Sequence, residues 1–289
     1  MRGVANLAAL VGVTVDSITD LGSQHSWTLH RAVLGDGREV FVKAAHDQAS
    51  VFEAEAAGLR WLAAGAPELV PEVLAVDDGM LVLPWVSAAA PSSSAAERFG
   101  RELAALHADS PGSFGAPWSG WIADLPLDNT EVDGSWARWY ADYRLAPYVP
   151  RAAAALGRDG IRLVERVIES IETLAGPPEP PSRIHGDLWS GNVLWTADHA
   201  LVIDPAAHGG HRETDLAMLA LFGTPHLDRI RAAYHETHPL ADDWQARIPL
   251  HQLHPLLVHV VLFGSSYRSQ TLAAASAALA ASHLQDRTP

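Results

Sequence analysis

The chain has 289 residues, of which 48% are hydrophobic and 19% charged, so it is long and apolar enough for one large globular unit or two joined lobes. It contains no cysteine, which excludes disulfides, thiolate metal sites and a catalytic thiol. Its 34 acidic and 20 basic residues give a formal net charge of −14, and such a surface disfavours nucleic acid because it repels phosphate backbones.

Neither a secretion signal nor a membrane span is expected. The first residues, Met1 to Leu7, lack the long apolar stretch of a signal peptide. No apolar run approaches the length needed to cross a bilayer. A reducing compartment also fits a chain without cysteine. We therefore expect a cytoplasmic protein with no membrane partner.

Residues 1–86 are predicted to form a small, β-rich N-terminal lobe. Two apolar strands within Val33–Lys43 surround a hairpin dipeptide, Asp36-Gly37. Apolar residues at helical spacing predict a helix from about Gln48 to Ala64. A second hairpin is predicted within Val73–Val86.

Residues 87–289 are predicted to form a larger, mostly helical lobe, which makes the fold class α+β. Apolar spacing predicts its first helix from Ala95 to Ala108, followed by a loop rich in Gly, Pro, Ser and Trp from Asp109 to Asp133. Further helices are predicted at Ser135–Tyr148, at Asp159–Leu174 and from Glu213 to the end.

A motif with the spacing of a phosphoryl-transfer site lies in the second lobe. His185, Gly186 and Asp187 are followed by Asn192 and then by an apolar strand that leads to Asp204. Kinases use such an Asp to accept the proton of the attacking hydroxyl, and an Asn and a second Asp to hold metal ions on the ATP phosphates. The spacing predicts Asp187 as the base and Asn192 and Asp204 as Mg²⁺ ligands, because this ion prefers oxygen donors.

Lys43 ends an apolar strand, where kinases place the lysine that contacts the α- and β-phosphates of ATP. Its partner should be a Glu on the following helix, and the candidates are Glu53 and Glu55. The loop that would cover the phosphates holds a single glycine, Gly22, next to Ser23. We expect a variant phosphate loop, since hydroxyls and backbone amides can also cradle phosphates.

The segment that ends the first lobe is predicted to be the hinge that meets adenine. Leu83, Trp85 and Val86 are the candidate contacts, although a buried strand would have the same composition. Pro84 has no N–H, so a donor to adenine must come from a neighbour such as Val86.

The catalytic octapeptide, His185 to Asn192, resembles the signature of the fructosamine kinase (ketosamine-3-kinase) family, within the aminoglycoside phosphotransferase and choline kinase group. The similarity extends from Ile18 to about Tyr267. Several weaker motifs also resemble segments of this family: Phe114-Gly115, Arg144-Leu145, Asp204-Pro205-Ala206, Gly210 to Met218, Leu221-Phe222-Gly223 and Leu262-Phe263-Gly264 with Tyr267.

The resemblance implies a protein-kinase-like bilobal fold and ATP-dependent, Mg²⁺-dependent phosphorylation of a ketosamine such as fructosamine or ribulosamine. The amine would be free or part of a glycated protein, and the phosphorylated hydroxyl would be on carbon three, as in deglycation repair or sugar-amine metabolism. An aminoglycoside or amino-alcohol acceptor is the nearest alternative. An ATP-binding pseudokinase is a third interpretation, and the glycine-poor loop is what suggests it.

The resemblance also assigns roles to further residues. It favours Glu55 as the partner of Lys43, and it makes His185 and Asp215 structural supports of the catalytic loop. Trp189 has two open interpretations, stacking on a sugar face or packing in the core. Trp118 and Trp121 belong to the core or to a flap that closes over substrate. The remaining candidates, His208 and His211, are interpreted as ordinary loop histidines rather than zinc ligands.

Overall fold

An antiparallel sheet of five strands forms the N-terminal part of the protein. The computed structural model describes residues 2–24, 26–45 and 49–285. The strands are β1 (Val15–Gln24), β2 (Trp27–Leu34), β3 (Glu39–Ala44), β4 (Ala75–Val76) and β5 (Met80–Pro84). Their order in the sheet is β1-β2-β3-β5-β4.

Both predicted hairpins of this sheet are confirmed. Asp36-Gly37 connects β2 to β3, and Gly37 adopts φ +85°, a backbone conformation that glycine reaches without strain. Strands β4 and β5 pair around a turn in which Asp77 accepts backbone hydrogen bonds from Gly79 and Met80 at 2.8 Å each. β5 ends at Pro84, two residues earlier than predicted.

Helix α2 (Ala49–Gly65) follows the sheet's third strand and packs its apolar stripe into the core. The predicted helix began at about Gln48, which lies outside the described residues. Phe52, Leu59 and Leu62 are fully buried, as the helical spacing predicts. Glu55 lies on the same buried face of α2, and there it bonds to Lys43 of β3.

An N-terminal helix that the sequence did not predict, α1 (Arg2–Val11), packs near the sheet. Its Leu7 is buried in a small core together with Leu34, Val40 and Val82.

Helix α3 (Ser93–Ala108) opens the helical part of the protein. It begins two residues before the predicted start because the Ser92 hydroxyl accepts a hydrogen bond from the backbone N–H of Ala95 at 3.1 Å, a typical N-cap. It packs closely on helix α8 (Leu227–Thr237). At the crossing an added Cβ on Gly100 would lie 2.3 Å from the carbonyl oxygen of Ile230, so glycine is required there.

The segment predicted as a loop from Asp109 to Asp133 contains a short hairpin instead. Its strands are β6 (Gly120–Ile122) and β7 (Leu125–Leu127), and their pairing leaves Ala123 at φ +49° in the turn. Strands of three residues in a Gly- and Pro-rich segment give too little alternation for a sequence pattern to reveal them.

The next predicted helices are present with irregular geometry. The first region consists of α4 (Trp136–Tyr140), a π-helical turn (Ala141–Leu145) and a 3₁₀ turn (Ala146–Tyr148). It is followed by α5 (Val149–Glu169) and α6 (Ile171–Leu174). Gly157, at φ +70°, kinks α5 two residues before the predicted start at Asp159, so the turns before the kink were missed.

Four short strands surround the predicted catalytic motif. They are β8 (Ser182–Ile184), β9 (Val193–Trp195), β10 (Ala200–Val202) and β11 (His208–Gly210). β8 pairs with β11, and β9 pairs with β10. These two pairings bring the segment after β8 and the segment after β10 side by side.

The C-terminal region is helical, as predicted. Besides α8 it contains α7 (Glu213–Leu221), α9 (Trp244–His251), α10 (Leu253–Phe263) and α11 (Arg268–Gln285). A sheet-containing N-terminal part and a larger helical part therefore give the predicted α+β class. Across the described ranges, the structure has no helix with both the length and the apolar character needed to cross a membrane.

Candidate active site

A tight turn after β8 brings Asp187 to the surface of a cavity of about 390 Å³. Gly186 adopts φ +81° in this turn, and an added Cβ would lie 2.3 Å from the carbonyl oxygen of Ala206. Glycine is therefore the residue that fits between the two segments. The same cavity is lined by Lys43, Glu55 and the two predicted metal ligands.

Asp215, at the start of α7, fixes the backbone of this turn. Its carboxylate accepts hydrogen bonds from the N–H groups of His185 at 2.7 Å and Gly186 at 3.0 Å. A third hydrogen bond, at 3.1 Å, joins it to Nε2 of His107. Asp215 is fully buried, and although burial opposes ionisation, the hydrogen bond and positive potential of His107 hold its pKa below the ordinary value.

His185 connects the turn to the segment that carries Asp204. Its Nδ1 accepts the N–H of Asp187 at 3.2 Å, so Nε2 carries the proton and donates to the carbonyl of Ile203 at 2.9 Å. Burial lowers the pKa of His185, which keeps the ring neutral. In this position it links two backbone segments and does not line the cavity.

Asn192 contacts Asp187 directly. Its side-chain amide donates to the Asp187 carbonyl at 2.8 Å and to Asp187 Oδ2 at 3.1 Å. Burial and the nearby charge of Asp204 raise the pKa of Asp187 to about 8, and the hydrogen bond from Asn192 opposes this shift. Ionisation of Asp187 beside Asp204 is therefore unfavourable, and a bound cation would relieve the repulsion between the two carboxylates.

Lys43 lies between two carboxylates. Its ammonium donates to both oxygens of Glu55, at 2.9 and 2.8 Å, and to Asp204 Oδ1 at 2.5 Å. Burial disfavours the ammonium, but Glu55 and Asp204 outweigh this effect and raise the pKa of Lys43. Lys43 in turn keeps the pKa of Asp204 low although burial opposes ionisation. Of the two candidates on α2, Glu55 is the partner, and Glu53 is exposed.

The predicted metal ligands fit a hard cation. The amide nitrogen of Asn192 is held by Asp187, and within the described ranges no hydrogen bond reaches its Oδ1. Asp204 adopts φ +56°, a strained conformation for a non-glycine residue that often marks functional sites. The amide oxygen of Asn192 and the carboxylate of Asp204, which line the same cavity, are donors suited to Mg²⁺.

The residues of the predicted phosphate loop, Gly22 and Ser23, lie near the end of strand β1 and pair with β2. Gly22 adopts φ +101° beside a bulge in β1, and its N–H donates to Asp20 at 2.7 Å. Ser23 is exposed in the same strand, and His25 lies outside the described residues. After the turn, the Ser26 hydroxyl donates to Asp124 of the β6–β7 hairpin at 3.1 Å, so this hairpin lies close to the loop.

The predicted hinge continues β5. Leu83 is buried and pairs with Phe41 of β3. The N–H of Trp85 donates to the carbonyl of Glu39 at 2.9 Å, so the sheet uses this donor. The guanidinium of Arg31 covers the Trp85 ring, with its carbon 4.6 Å from the ring centroid. Val86 follows Trp85 in the chain. Within the described residues, the N–H of Val86 has no hydrogen-bond acceptor.

Trp189 is half-buried and lines the cavity. Its ring lies against the next turn, where a Cβ on Gly191 would be 2.2 Å from the ring, so the glycine leaves room for the indole. Trp118 and Trp121 also line the cavity from the segment around β6, and Trp118 packs edge-on against Trp61 of α2 at 5.7 Å.

The cavity residues that were not assigned to the site from the sequence include four ring-bearing residues of the C-terminal region: Phe222, His259, Phe263 and Tyr267. We call this group the ring wall. Three of them belong to the Phe-Gly and Tyr motifs that the family resemblance had marked. That signal located them in the chain but did not indicate that they face the active site.

The expectation that His208 and His211 lie in a loop is wrong for His208, which belongs to strand β11, whereas His211 follows the strand; both side chains are buried. His211 lies with Glu213 and His251 in a group whose ligand atoms are within 4.8 Å of one another. Arg247 occupies both oxygens of Glu213, at 2.6 and 2.9 Å. This pairing makes the group a buried ion-pair network that holds α7 to α9.

Comparison with known proteins agrees with this geometry. A family model described as fructosamine kinase matches residues 14–281. A probable ketoamine kinase of Synechocystis sp. is 34% identical over 246 residues, which cover 82% of each chain. The crystal structure of a candidate fructosamine-3-kinase of Thermobifida fusca is 53% identical, with a TM-score of 0.93, over 96% of this chain and 98% of that one.

The fold is shared more widely. The aminoglycoside phosphotransferase APH(4)-Ia, solved in a ternary complex with AMP-PNP and hygromycin B, is 15% identical with a TM-score of 0.66 over 100% of both chains. At this identity the likeness concerns the fold alone. It confirms the predicted kinase-like bilobal architecture.

Proposed function

The chain belongs to the fructosamine kinase family, and on this basis we propose that it transfers the γ-phosphoryl group of ATP to a sugar hydroxyl of a ketosamine. Membership of this family makes the chain a phosphotransferase with an alcohol group as acceptor, as predicted. The observation that carries the proposal is one cavity in which Lys43, Asp187, Asn192 and Asp204 all meet.

Asp187 is the proposed base. In phosphoryl transfer the transition state is loose, so this residue orients the attacking hydroxyl and accepts its proton late. The hydrogen bond from Asn192 fixes the carboxylate, and the turn held by Asp215 fixes the backbone. Its raised pKa makes Asp187 a better proton acceptor than an ordinary carboxylate once it is ionised.

Lys43, Asn192 and Asp204 are the proposed contacts to the phosphates and their Mg²⁺. Mg²⁺ would neutralise the charge that develops on the phosphoryl oxygens. Lys43 is positioned for the phosphates by Glu55, which holds the ammonium through both carboxylate oxygens. Gly22 and Ser23, both exposed near the end of β1, would lie over the phosphates.

Adenine is proposed to bind between the two lobes, residues 1–86 and 87–289. Because the sheet uses the N–H of Trp85, Val86 is the donor that remains for the adenine ring. Leu83, near the end of β5, and Trp85, just past it, would supply apolar contacts to the adenine ring.

The proposed acceptor is a ketosamine such as fructosamine or ribulosamine, phosphorylated on carbon three, with the sugar carried by a free amine or by a protein side chain. Support comes from the Leu188-Trp189-Ser190-Gly191 stretch, which lies between the proposed base and the metal ligand in the chain and whose Trp189 lines the cavity. A role in removing glycation from amines, in the cytoplasm, is part of the proposal.

An acceptor panel tests the proposal. ATP consumption with Mg²⁺ would be measured with fructose-lysine, ribulose-lysine, an aminoglycoside and choline. We expect turnover with one or both ketosamines and little with the other two acceptors. Preferential turnover of the aminoglycoside or of choline would replace the proposed acceptor while leaving the phosphotransferase chemistry in place.

A further inference from the structure

The ring wall forms a distinct surface of the active-site cavity. Phe222 stands at the end of α7, His259 and Phe263 lie on α10, and Tyr267 closes the 3₁₀ turn after α10. Each ring contacts another, with centroids 4.7 Å apart for His259 and Tyr267 and 5.1 Å apart for His259 and Phe222. Trp189 joins the group edge-on, 6.2 Å from Phe222.

The outer part of the wall is open to solvent. Phe263 is 53% exposed and Phe222 is 37% exposed, whereas most large apolar residues of the described chain are covered. Clustered exposed aromatic rings beside a cavity are typical of a binding surface. Because the wall is continuous with the Asp187 site, its ligand is a part of the substrate.

Few polar groups interrupt the wall. Along the cavity, as far as the structure describes its lining, the basic residues are Lys43 and His259, and Lys43 is held by Glu55 and Asp204. His259 donates from Nδ1 to the carbonyl of Pro255 at 2.6 Å, which leaves Nε2 as an acceptor. Burial lowers the pKa of His259, so the ring is neutral near pH 7.

This surface suits one part of a ketosamine better than the others. The sugar needs hydroxyl partners and must reach Asp187, and adenine needs the backbone at Val86. The remaining part is a secondary amine, positively charged near neutral pH, together with the alkyl group that it carries. Aromatic faces attract such cations, and Nε2 of His259 can accept a hydrogen bond from an ammonium N–H.

We propose that Phe222, His259, Phe263 and Tyr267 bind the protonated amine of the ketosamine and its substituent, and so determine specificity for amine-linked sugars. The inference rests on the proposed function and deepens it. Since the exposed rings stand at the outer edge, the substituent leaves the cavity along Phe263, which accommodates long alkyl groups such as a lysine side chain.

The test compares two acceptors with the same sugar. One is fructose-lysine, whose amine is charged, and the other is its N-acetyl derivative on the sugar-bearing nitrogen, which is neutral. Phe263→Leu and the double variant Phe222→Leu/Phe263→Leu keep apolar volume but remove the aromatic faces. Ile18→Ala, at an exposed apolar residue on β1 outside the cavity, is the control.

We expect the wild type to prefer the charged acceptor in kcat/KM by about 3- to 30-fold, the range from an exposed to a desolvated cation–π contact. The leucine variants should lose most of this preference through KM, with KM for ATP unchanged, while Ile18→Ala retains it. The inference would be overturned, with the proposed function left standing, if the leucine variants kept the preference for the charged acceptor or if the wild type had no such preference. A wild type that phosphorylates neither compound would overturn the proposed function as well.

Discussion

The side-chain amide of Asn192 donates to the carboxylate of Asp187 at 3.1 Å, so the proposed metal ligand and the proposed base hold each other in place. Replacing Asn192 by Asp would put two carboxylates at this distance. Their repulsion would raise the pKa of Asp187 further and tilt its side chain.

We expect Asn192→Asp to lower kcat roughly 100-fold, within the range that a positioned acid–base group contributes. Steady-state ATP consumption would measure the effect. Asn192→Ser, which adds no charge, should lose less activity. Equal losses in the two variants would show that charge repulsion at Asp187 is unimportant.

The Lys43–Glu55 pair gives a second prediction. Glu55→Gln leaves a neutral amide beside a buried ammonium, so the lysine shifts towards Asp204 and its hold on the phosphates weakens. KM for ATP should rise about 10-fold, which corresponds to roughly 1.4 kcal/mol. Glu53→Gln, at an exposed position on the same helix, is the matched control and should leave KM unchanged. A reversed order of effects would make Glu53 the partner.

A substitution at Gly191 distinguishes the two interpretations of Trp189, stacking on the sugar and packing in the core. In Gly191→Ala the new methyl group would collide with the indole ring, because its position lies 2.2 Å from the ring in the wild type. The ring must then move. If Trp189 stacks on the acceptor sugar, KM for the ketosamine should rise several-fold while KM for ATP stays the same.

A core role for Trp189 predicts a different outcome. The thermal midpoint of Gly191→Ala would then fall while both KM values stay near those of the wild type. Differential scanning calorimetry beside the kinetics distinguishes the two outcomes.

Buried histidines make stability depend on pH. Burial and the neighbouring His251 lower the pKa of His211 to about 3, below the ordinary value of 6.5. The unfolded chain therefore binds a proton that the folded chain does not, so stability is present above pH 6.5 and is lost as pH falls towards 3. We expect this residue to contribute a loss of roughly 1–2 kcal/mol between pH 6.5 and 5.

Urea unfolding of the wild type and of His211→Asn at both pH values would check this. The Asn side-chain oxygen can still accept the N–H of Glu213, which Nδ1 of His211 accepts at 3.2 Å. The variant should therefore lose less stability on acidification. His226→Asn, at an exposed position where Asn tolerates the left-handed backbone, should have the slope of the wild type.

The sequence predicted which residues meet in the cavity because each of the two groups is compact in the chain and carries a strong local pattern. Asp187 and Asn192 lie in one turn, and Lys43 and Glu55 lie on consecutive elements whose hairpin and helix patterns are strong. The structure brings these residues into one cavity, and their roles in catalysis stay predictions.

The parts that sequence missed depend on distant contacts. The ring wall combines the end of α7 with α10 and the turn after it, and no local pattern indicates which side of α10 lines the cavity. The β6–β7 hairpin has strands of three residues, too short for an alternating pattern. Burial of His208 and His211 follows from packing against Trp139 and Trp136, which the sequence does not reveal.

The most direct test of the proposed chemistry is ³¹P NMR of fructose-lysine incubated with Mg²⁺-ATP and either the wild type or Asp187→Ala. We predict a new phosphomonoester signal on the sugar with the wild type, coupled to the proton on carbon three. The signal should be absent with the variant, provided that the variant's thermal midpoint shows it to be folded. A phosphorylated sugar formed at the same rate by Asp187→Ala would contradict the role of Asp187, and no phosphorylated sugar from the wild type would contradict the proposed acceptor.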